Sequence, residues 1–217
     1  MNNLTTKSEK IAKRINIIIK KWLSDGKKIV IGIDGYSGSG KTTILGYLAR
    51  INSEVLPLFL DDFIEHWSKR KKMMDQAEDK SKVFELKWYR YRDIEELISK
   101  FRKQKDGFHK AIVYNYEKND FGPIKEFDLS KRALVAEGIF LFHPEHKISK
   151  MWDKKIYLKA DFEKGDQRRI QREMEKWGEY YIPETHPDSY VTPFKQAYRR
   201  YLEKYKIEDK ADAVIKA

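Results

Sequence analysis

Cysteine is absent from the 217 residues, so neither a disulfide framework nor a thiolate zinc site is available. This is compatible with a reducing cytoplasm, the compartment expected here. Met1 to Glu9 is polar, which argues against a secretion signal. No apolar run approaches the roughly 20 residues that span a bilayer, so no membrane association is expected. Internal repeats and low-complexity tracts are missing. So is an Asn-Lys-x-Asp element for reading guanine, which argues against a guanine-nucleotide switch. His143 and His146 bracket Pro144 and Glu145, a poor metal site with no Cys and no further His nearby, and the spacing reads as a surface loop.

Charge, by contrast, is abundant. Lys and Arg number 45 against 34 Asp and Glu, a formal net charge of +11. That balance suits polyanionic partners, among them nucleic acid, acidic membranes and nucleoside triphosphates, without choosing between them. The length and a hydrophobic content of 41% fit one α/β domain spanning residues 1–217.

Ile11, Ile15, Ile18, Ile19 and Trp22 recur at helical spacing, so residues 1–27 are expected to hold a helix that covers the protein's own sheet and stops at Asp25-Gly26. Ile29 to Ile33 is a β-branched run without polar alternation, the pattern of a fully buried strand. Helical periodicity follows from Thr42 to Ile51, and Pro57 to Leu60 is a second short strand. Glu65 to Glu85 is charged and aperiodic and reads as a surface excursion, part of a substrate-side segment over about 64–125. Arg92 to Lys103 predicts a helix, Ala111 to Tyr116 a strand, and Asn119 to Gly122 a turn. Ala133 to Ala136 and Lys155 to Leu158 predict buried strands. An Arg-rich helix follows from Asp161, as cap, to Trp177, within a lid region over about 161–192. Pro193 to Tyr205 and Ala211 to Ile215 complete the chain as helix and strand. Strands alternating with helices argue for a mainly parallel, five-stranded sheet covered on both faces.

Gly35-Tyr36-Ser37-Gly38-Ser39-Gly40-Lys41-Thr42 fits G-x-x-x-x-G-K-[ST], between a strand and a helix as a phosphate-binding loop requires. Glycines admit positive φ, so successive backbone N–H groups converge on phosphate oxygens. Lys41 supplies a charge for the β and γ phosphates, Thr42 a hydroxyl for Mg²⁺, and the helix start, with Thr43, its positive dipole end. ATP and Mg²⁺ are the cofactors expected.

Ligands of open α/β sheets bind beyond the carboxyl ends of strands. Asp34, Asp61-Asp62 and Glu137 each end an apolar run and are expected to face one crevice. Phosphoryl transfer requires carboxylate help for Mg²⁺ and a group that orients or deprotonates the attacking hydroxyl, which makes Asp61 or Asp62 and Glu137 the candidates.

The order Ile-Gly-Ile-Asp-Gly-Tyr-Ser-Gly-Ser-Gly-Lys-Thr-Thr, Leu-Asp-Asp-Phe, Ala-Glu-Gly-Ile-Phe-Leu-Phe and an Arg-rich helix resembles the uridine kinase and nicotinamide riboside kinase group of P-loop kinases. This group is related to phosphoribulokinase and bacterial pantothenate kinase, and the likeness runs discontinuously from about Lys28 to Ala217. The resemblance implies transfer of the γ-phosphoryl of MgATP to a hydroxyl of a nucleoside-like small metabolite. It implies that Asp61 acts on that hydroxyl beside Asp62, that Glu137 lies near Mg²⁺, and that Arg169 and Arg172, with Arg168 close by, close over the phosphates. Family members often continue the lid helix with an Arg-Asp pair, where Lys176 and Trp177 stand here. Trp88 to Asp93 and Tyr114 to Tyr116 loosely match the family's substrate segments, which nominates Tyr89, Arg92 and Tyr114 as substrate contacts. A homo-oligomer is compatible with this reading. The basic charge leaves a polynucleotide end kinase as a less favoured alternative, tested by salt-dependent oligonucleotide binding. From another class, a non-catalytic ATP-binding module would bind ATP and yield no phosphorylated product.

Overall fold

In the computed structural model, which describes residues 3–186 and 189–217, the N-terminal periodicity becomes helix α1, Asn3–Trp22. Ile11, Ala12, Ile15 and Ile19 pack on the β-branched residues of the sheet and on the next helix, so α1 covers the protein's own sheet. The Asp25 carboxylate then accepts the Lys27 N–H at 3.1 Å, and Gly26 turns the chain at φ 77°.

The following elements are β1 (Ile29–Gly35), α2 (Lys41–Ile51), β2 (Val55–Phe59), α3 (Trp67–Asp75), α4 (Lys80–Leu86) and α5 (Tyr91–Lys103). After them come β3 (Phe108–Asn115), β4 (Asp120–Asp128), β5 (Ala133–Gly138), β6 (Lys154–Lys159), α6 (Phe162–Trp177), α7 (Val191–Tyr205) and β7 (Ala213–Lys216). Five strands form one sheet in the order β2-β5-β1-β6-β7, with every neighbouring pair parallel. This is the expected α/β arrangement of a P-loop fold. The period of two sorts the side chains. Ile29, Ile31, Ile33, Val135 and Ile156 face α1 and α2, while Val30, Leu134, Ala136 and Tyr157 face the core that holds α5 and α7. With both faces covered, β1 and β5 are buried at every residue, which is why they read as unbroken apolar runs.

The structure corrects three expectations. Glu65 to Glu85 holds the helices α3 and α4, and it buries Arg70, Met74, Val83, Phe84 and Glu85 instead of running over the surface. Asn119 to Gly122 is mostly strand, because β3 and β4 form an antiparallel hairpin whose turn lies earlier, ending at Asn119 with φ 52°. His143 and His146 are buried, not in a surface loop: His146 stacks on Tyr91 at 4.0 Å and His143 on Tyr201 at 5.9 Å. Burial holds the His143 imidazole down at about 4. No group of three metal-ligating side chains occurs among the described residues.

Candidate active site

β1 ends in the glycine-rich loop, and α2 begins at Lys41. Gly38 and Gly40 take φ of 74° and 88°, values that side chains disfavour. At Gly38 the constraint is also steric, since a Cβ there would stand 2.2 Å from the Gly165 carbonyl oxygen. The loop is thus seated against α6, and the Arg168 guanidinium donates to the Gly38 carbonyl at 3.1 Å. Tyr36 turns its side chain inward. Its hydroxyl donates to Asp166 at 2.8 Å and its ring packs on Phe162 and Tyr198 at 4.9 and 4.8 Å, which leaves only its backbone for a ligand. Ser37 is half-buried in the turn, and Ser39 is buried with its N–H on the Tyr36 carbonyl at 3.2 Å.

Lys41 is buried and folded back on the loop. Its ammonium donates to the Gly35 and Tyr36 carbonyls at 2.8 Å each and to Ser39 Oγ at 3.4 Å. Burial lowers its pKa, opposed by Glu137, Asp34 and Asp61. The Thr42 hydroxyl donates to Glu137 Oε1 at 3.0 Å, and Thr43 is exposed on the same first turn. Glu137 sits in β5 between Ile33 of β1 and Phe59 of β2, so the register sets it between the loop and the end of β2. Burial raises its carboxyl to about 7, against the pull of Lys41.

A 3-10 turn, Leu60–Phe63, follows β2 directly. Leu60 and Phe63 are buried, which turns Asp61 and Asp62 outward. Asp61 accepts from the Tyr89 hydroxyl at 3.2 Å, and Asp62 from Lys125 Nζ at 2.6 Å. The Asp61 side chain is open to water yet ringed by protein at longer range, a cleft position. That surrounding protein raises its pKa by desolvation, with Lys41 the main opposing charge, and the open face makes the rise smaller than full enclosure would.

Asp34 does not share the crevice. It is fully buried, accepts the Tyr201 hydroxyl at 2.5 Å and the Gly35 N–H at 2.6 Å, and burial lifts it to about 6. It supports the loop from behind. Among the other expected residues, Tyr89 and Tyr114 are buried in the wall beyond Asp61, but Arg92 is exposed on α5. Arg90 is the arginine of that segment turned inward, donating to the Ile112 carbonyl at 2.6 Å and the Asp62 carbonyl at 3.4 Å. Arg169 is buried against Asp166 and Glu173, at 3.4 and 3.1 Å, while Arg172 is exposed and its charge is felt at Lys41 and Asp61. Arg168 is therefore the arginine of α6 in direct contact with the loop. Sequence reasoning missed Lys125 and Arg70, while Tyr116 lay in the segment matched to the family's substrate regions without being nominated itself. No local signal marks Lys125 or Arg70, because the hairpin brings the one to Asp62 and α3 the other to Tyr114.

The profile of the Phosphoribulokinase / Uridine kinase family matches residues 30–217. The chain belongs to this family. It is similar to the uridine kinase of Borreliella burgdorferi (strain ZS7), 28% identical over 205 residues covering 86% of this chain and 85% of that protein. Among solved structures it resembles a possible uridine kinase from Bacillus stearothermophilus, with a TM-score of 0.66, 21% identity, and 95% of this chain and 99% of that one covered. It also resembles the phosphoribulokinase of Rhodobacter spheroides, with a TM-score of 0.60, 14% identity, and 88% and 70% covered, a likeness of fold. As a member of the phosphoribulokinase / uridine kinase family, the chain is an ATP-dependent small-molecule kinase, a phosphotransferase acting on an alcohol group. The residues present fit MgATP. The loop offers backbone donors, and Thr42 and Glu137 offer hard oxygens 3.0 Å apart, the sparse protein ligation that Mg²⁺ accepts when phosphates supply the rest. No helix among the described residues is long and apolar enough to cross a membrane.

Proposed function

We propose that this enzyme transfers the γ-phosphoryl group of MgATP to a hydroxyl of a nucleoside-like or related small metabolite, in the manner of a uridine kinase, in the cytoplasm. The convergence of Lys41, Thr42, Glu137 and Asp61 at the carboxyl ends of adjacent strands carries this reading.

The loop amides and Lys41 receive the triphosphate once the ammonium leaves the Gly35 and Tyr36 carbonyls. Thr42 and Glu137 hold Mg²⁺, which when bound neutralises charge on the phosphate oxygens. Asp61 takes the proton of the acceptor hydroxyl. The acceptor oxygen forms a bond to the γ phosphorus as the bond to the bridging oxygen breaks, and the electron pair leaves with ADP. Desolvation makes Asp61 a stronger base than a free aspartate. Tyr89 orients it through the bond at 3.2 Å. Arg172 is free to add charge as α6 closes, and closure excludes water.

A mass-spectrometric screen of nucleosides, vitamin precursors and sugars with MgATP tests the proposal. Addition of one phosphate to a nucleoside-like or related small acceptor is expected. ATP binding without a phosphorylated product across that panel would point to a non-catalytic module.

A further inference from the structure

The cations around the acceptor cleft divide by partner. Lys125 is neutralised by Asp62 at 2.6 Å, Arg90 by Asp93, and Arg169 by Asp166 and Glu173. Arg70 and Lys176 differ. Neither makes an ion pair with a carboxylate among the described residues, although Arg70 is only 8% exposed. The Arg70 Nε donates to the Glu65 carbonyl at 2.9 Å, and an Nη reaches the Tyr114 hydroxyl only at 3.5 Å. The rings of Trp88, Trp67 and Tyr114 surround its guanidinium at 4.9, 5.5 and 5.6 Å. Cation–π attraction offsets part of the desolvation of a buried guanidinium and the Glu65 carbonyl takes one charge-assisted hydrogen bond, but no carboxylate among the described residues neutralises the charge.

Arg70 and Lys176 meet at one pair of tyrosines. An Arg70 Nη reaches the Tyr114 hydroxyl, Tyr114 packs edge-on against Tyr116 with ring centroids 5.1 Å apart, and the Lys176 ammonium lies 4.5 Å from the Tyr116 ring. Lys176 arrives from the end of α6 whose beginning seats the phosphate loop, so one helix touches both the donor and the acceptor side. Both cations therefore border the Tyr114–Tyr116 pair without an ion pair to a carboxylate among the described residues, and the charge of Asp61 is felt at Tyr116 and Lys176. A neutral acceptor would leave the Arg70 charge uncompensated in the complex. An acceptor with a negative group turns that penalty into binding and directs its hydroxyl toward Asp61.

Building on the kinase reading above, we propose that the phosphoryl acceptor bears an anionic group, a carboxylate or a phosphate, received by Arg70 and Lys176 beside the Tyr114–Tyr116 pair. The experiment measures kcat/KM with MgATP for matched probes: glycerol against glycerate, ribose against ribose 5-phosphate, and uridine. ATP affinity is measured alongside by calorimetry. The glycerate arm reports a carboxylate and the ribose 5-phosphate arm a phosphate. At least one anionic probe is expected to exceed its neutral counterpart by about tenfold or more, the worth of one charge-assisted hydrogen bond. Lys176→Gln and Arg70→Gln are each expected to lose about tenfold for that probe, through KM, with ATP affinity unchanged and Lys176→Arg restoring the loss. Lys176 is exposed, so its variants decide the matter even if Arg70→Gln does not fold. Turnover of uridine or a neutral probe as good as that of the anions overturns the proposal. ATP binding with no anionic probe phosphorylated, or an anion preference untouched by Lys176→Gln, does the same. Failure to bind ATP at all removes the kinase reading and this proposal with it.

Discussion

The phosphate loop and the proposed acceptor wall flank Glu137, yet they are built by opposite means. The loop is one stretch of chain, Gly35 to Thr42, that presents backbone N–H groups, and its side chains serve mainly to seat it: Tyr36 on Asp166, Lys41 on two carbonyls. The wall collects side chains from the turn after β2, from α3, from the approach to α5, from the hairpin and from the end of α6. A phosphate chain is the same in every nucleotide, so a fixed local nest suffices for it. An acceptor is particular, and its recognition depends on residues far apart in sequence.

The sharpest way to separate the two sides is Asp61→Asn. It is expected to lower kcat by roughly 10²- to 10⁴-fold, the usual worth of a general base, while equilibrium titration finds ATP affinity nearly intact. Equal loss of ATP affinity would show that the sides are not separable at Asp61.

Glu137 stands between them, and its variant sets stability against function. With its folded-state carboxyl at about 7, the folded protein keeps a proton that the unfolded chain has already released near pH 4.5. Its contribution is fully favourable below that lower value and is lost as pH rises through 7. Glu137→Gln is therefore expected to raise stability at pH 8 by roughly 3 kcal/mol, at about 1.4 kcal/mol per pK unit, and to change little at pH 4. Thermal unfolding of both proteins at the two pH values checks this. The same substitution is expected to abolish most Mg²⁺-dependent turnover.

Gly38→Ala attacks the seat of the loop on α6. The positive φ and the Gly165 carbonyl at 2.2 Å from the new Cβ predict a cost of at least about 1–2 kcal/mol. ATP Kd is expected to rise about tenfold with acceptor KM little changed, read by calorimetry and steady-state kinetics. A rise in both constants together would mean that α6 couples the sides rigidly.

Tyr89→Phe is the mildest of these changes. Loss of one hydrogen bond to Asp61 at 3.2 Å is worth about 0.5–1.5 kcal/mol, so kcat is expected to fall a few-fold with ATP affinity unchanged.

Legibility followed the same division. The loop, β1, β5, α5 and α6 were readable because their signals are local: a glycine spacing, β-branched runs buried on both faces, and apolar residues at helical period. The helices α3 and α4 escaped notice because α3 buries only Arg70 and Met74, too few to write a periodicity into a charged stretch. His143 and His146 looked like surface residues, since nothing in the sequence reveals the rings of Tyr201 and Tyr91 beside them. Asp34 and Glu137 both end buried strands, but register places Glu137 level with Ile33 and Asp34 one residue beyond it, on the face toward Tyr201. Alternation along the strand carries that distinction once the pairing is known. Arg90 and Arg92 differ likewise: one faces the hairpin and the other solvent.

Read alone, the sequence determined the parallel α/β scaffold and the anion nest, because both arise from contacts within a few residues and from the burial of contiguous apolar runs. Only the tertiary structure decided which carboxylates share the crevice, which arginine of α6 touches the loop, and which cations stand beside Tyr114 and Tyr116. Those outcomes depend on strand register and on the direction in which distant helices present their side chains, and a buried charge declares its partner only when the chain has closed around it.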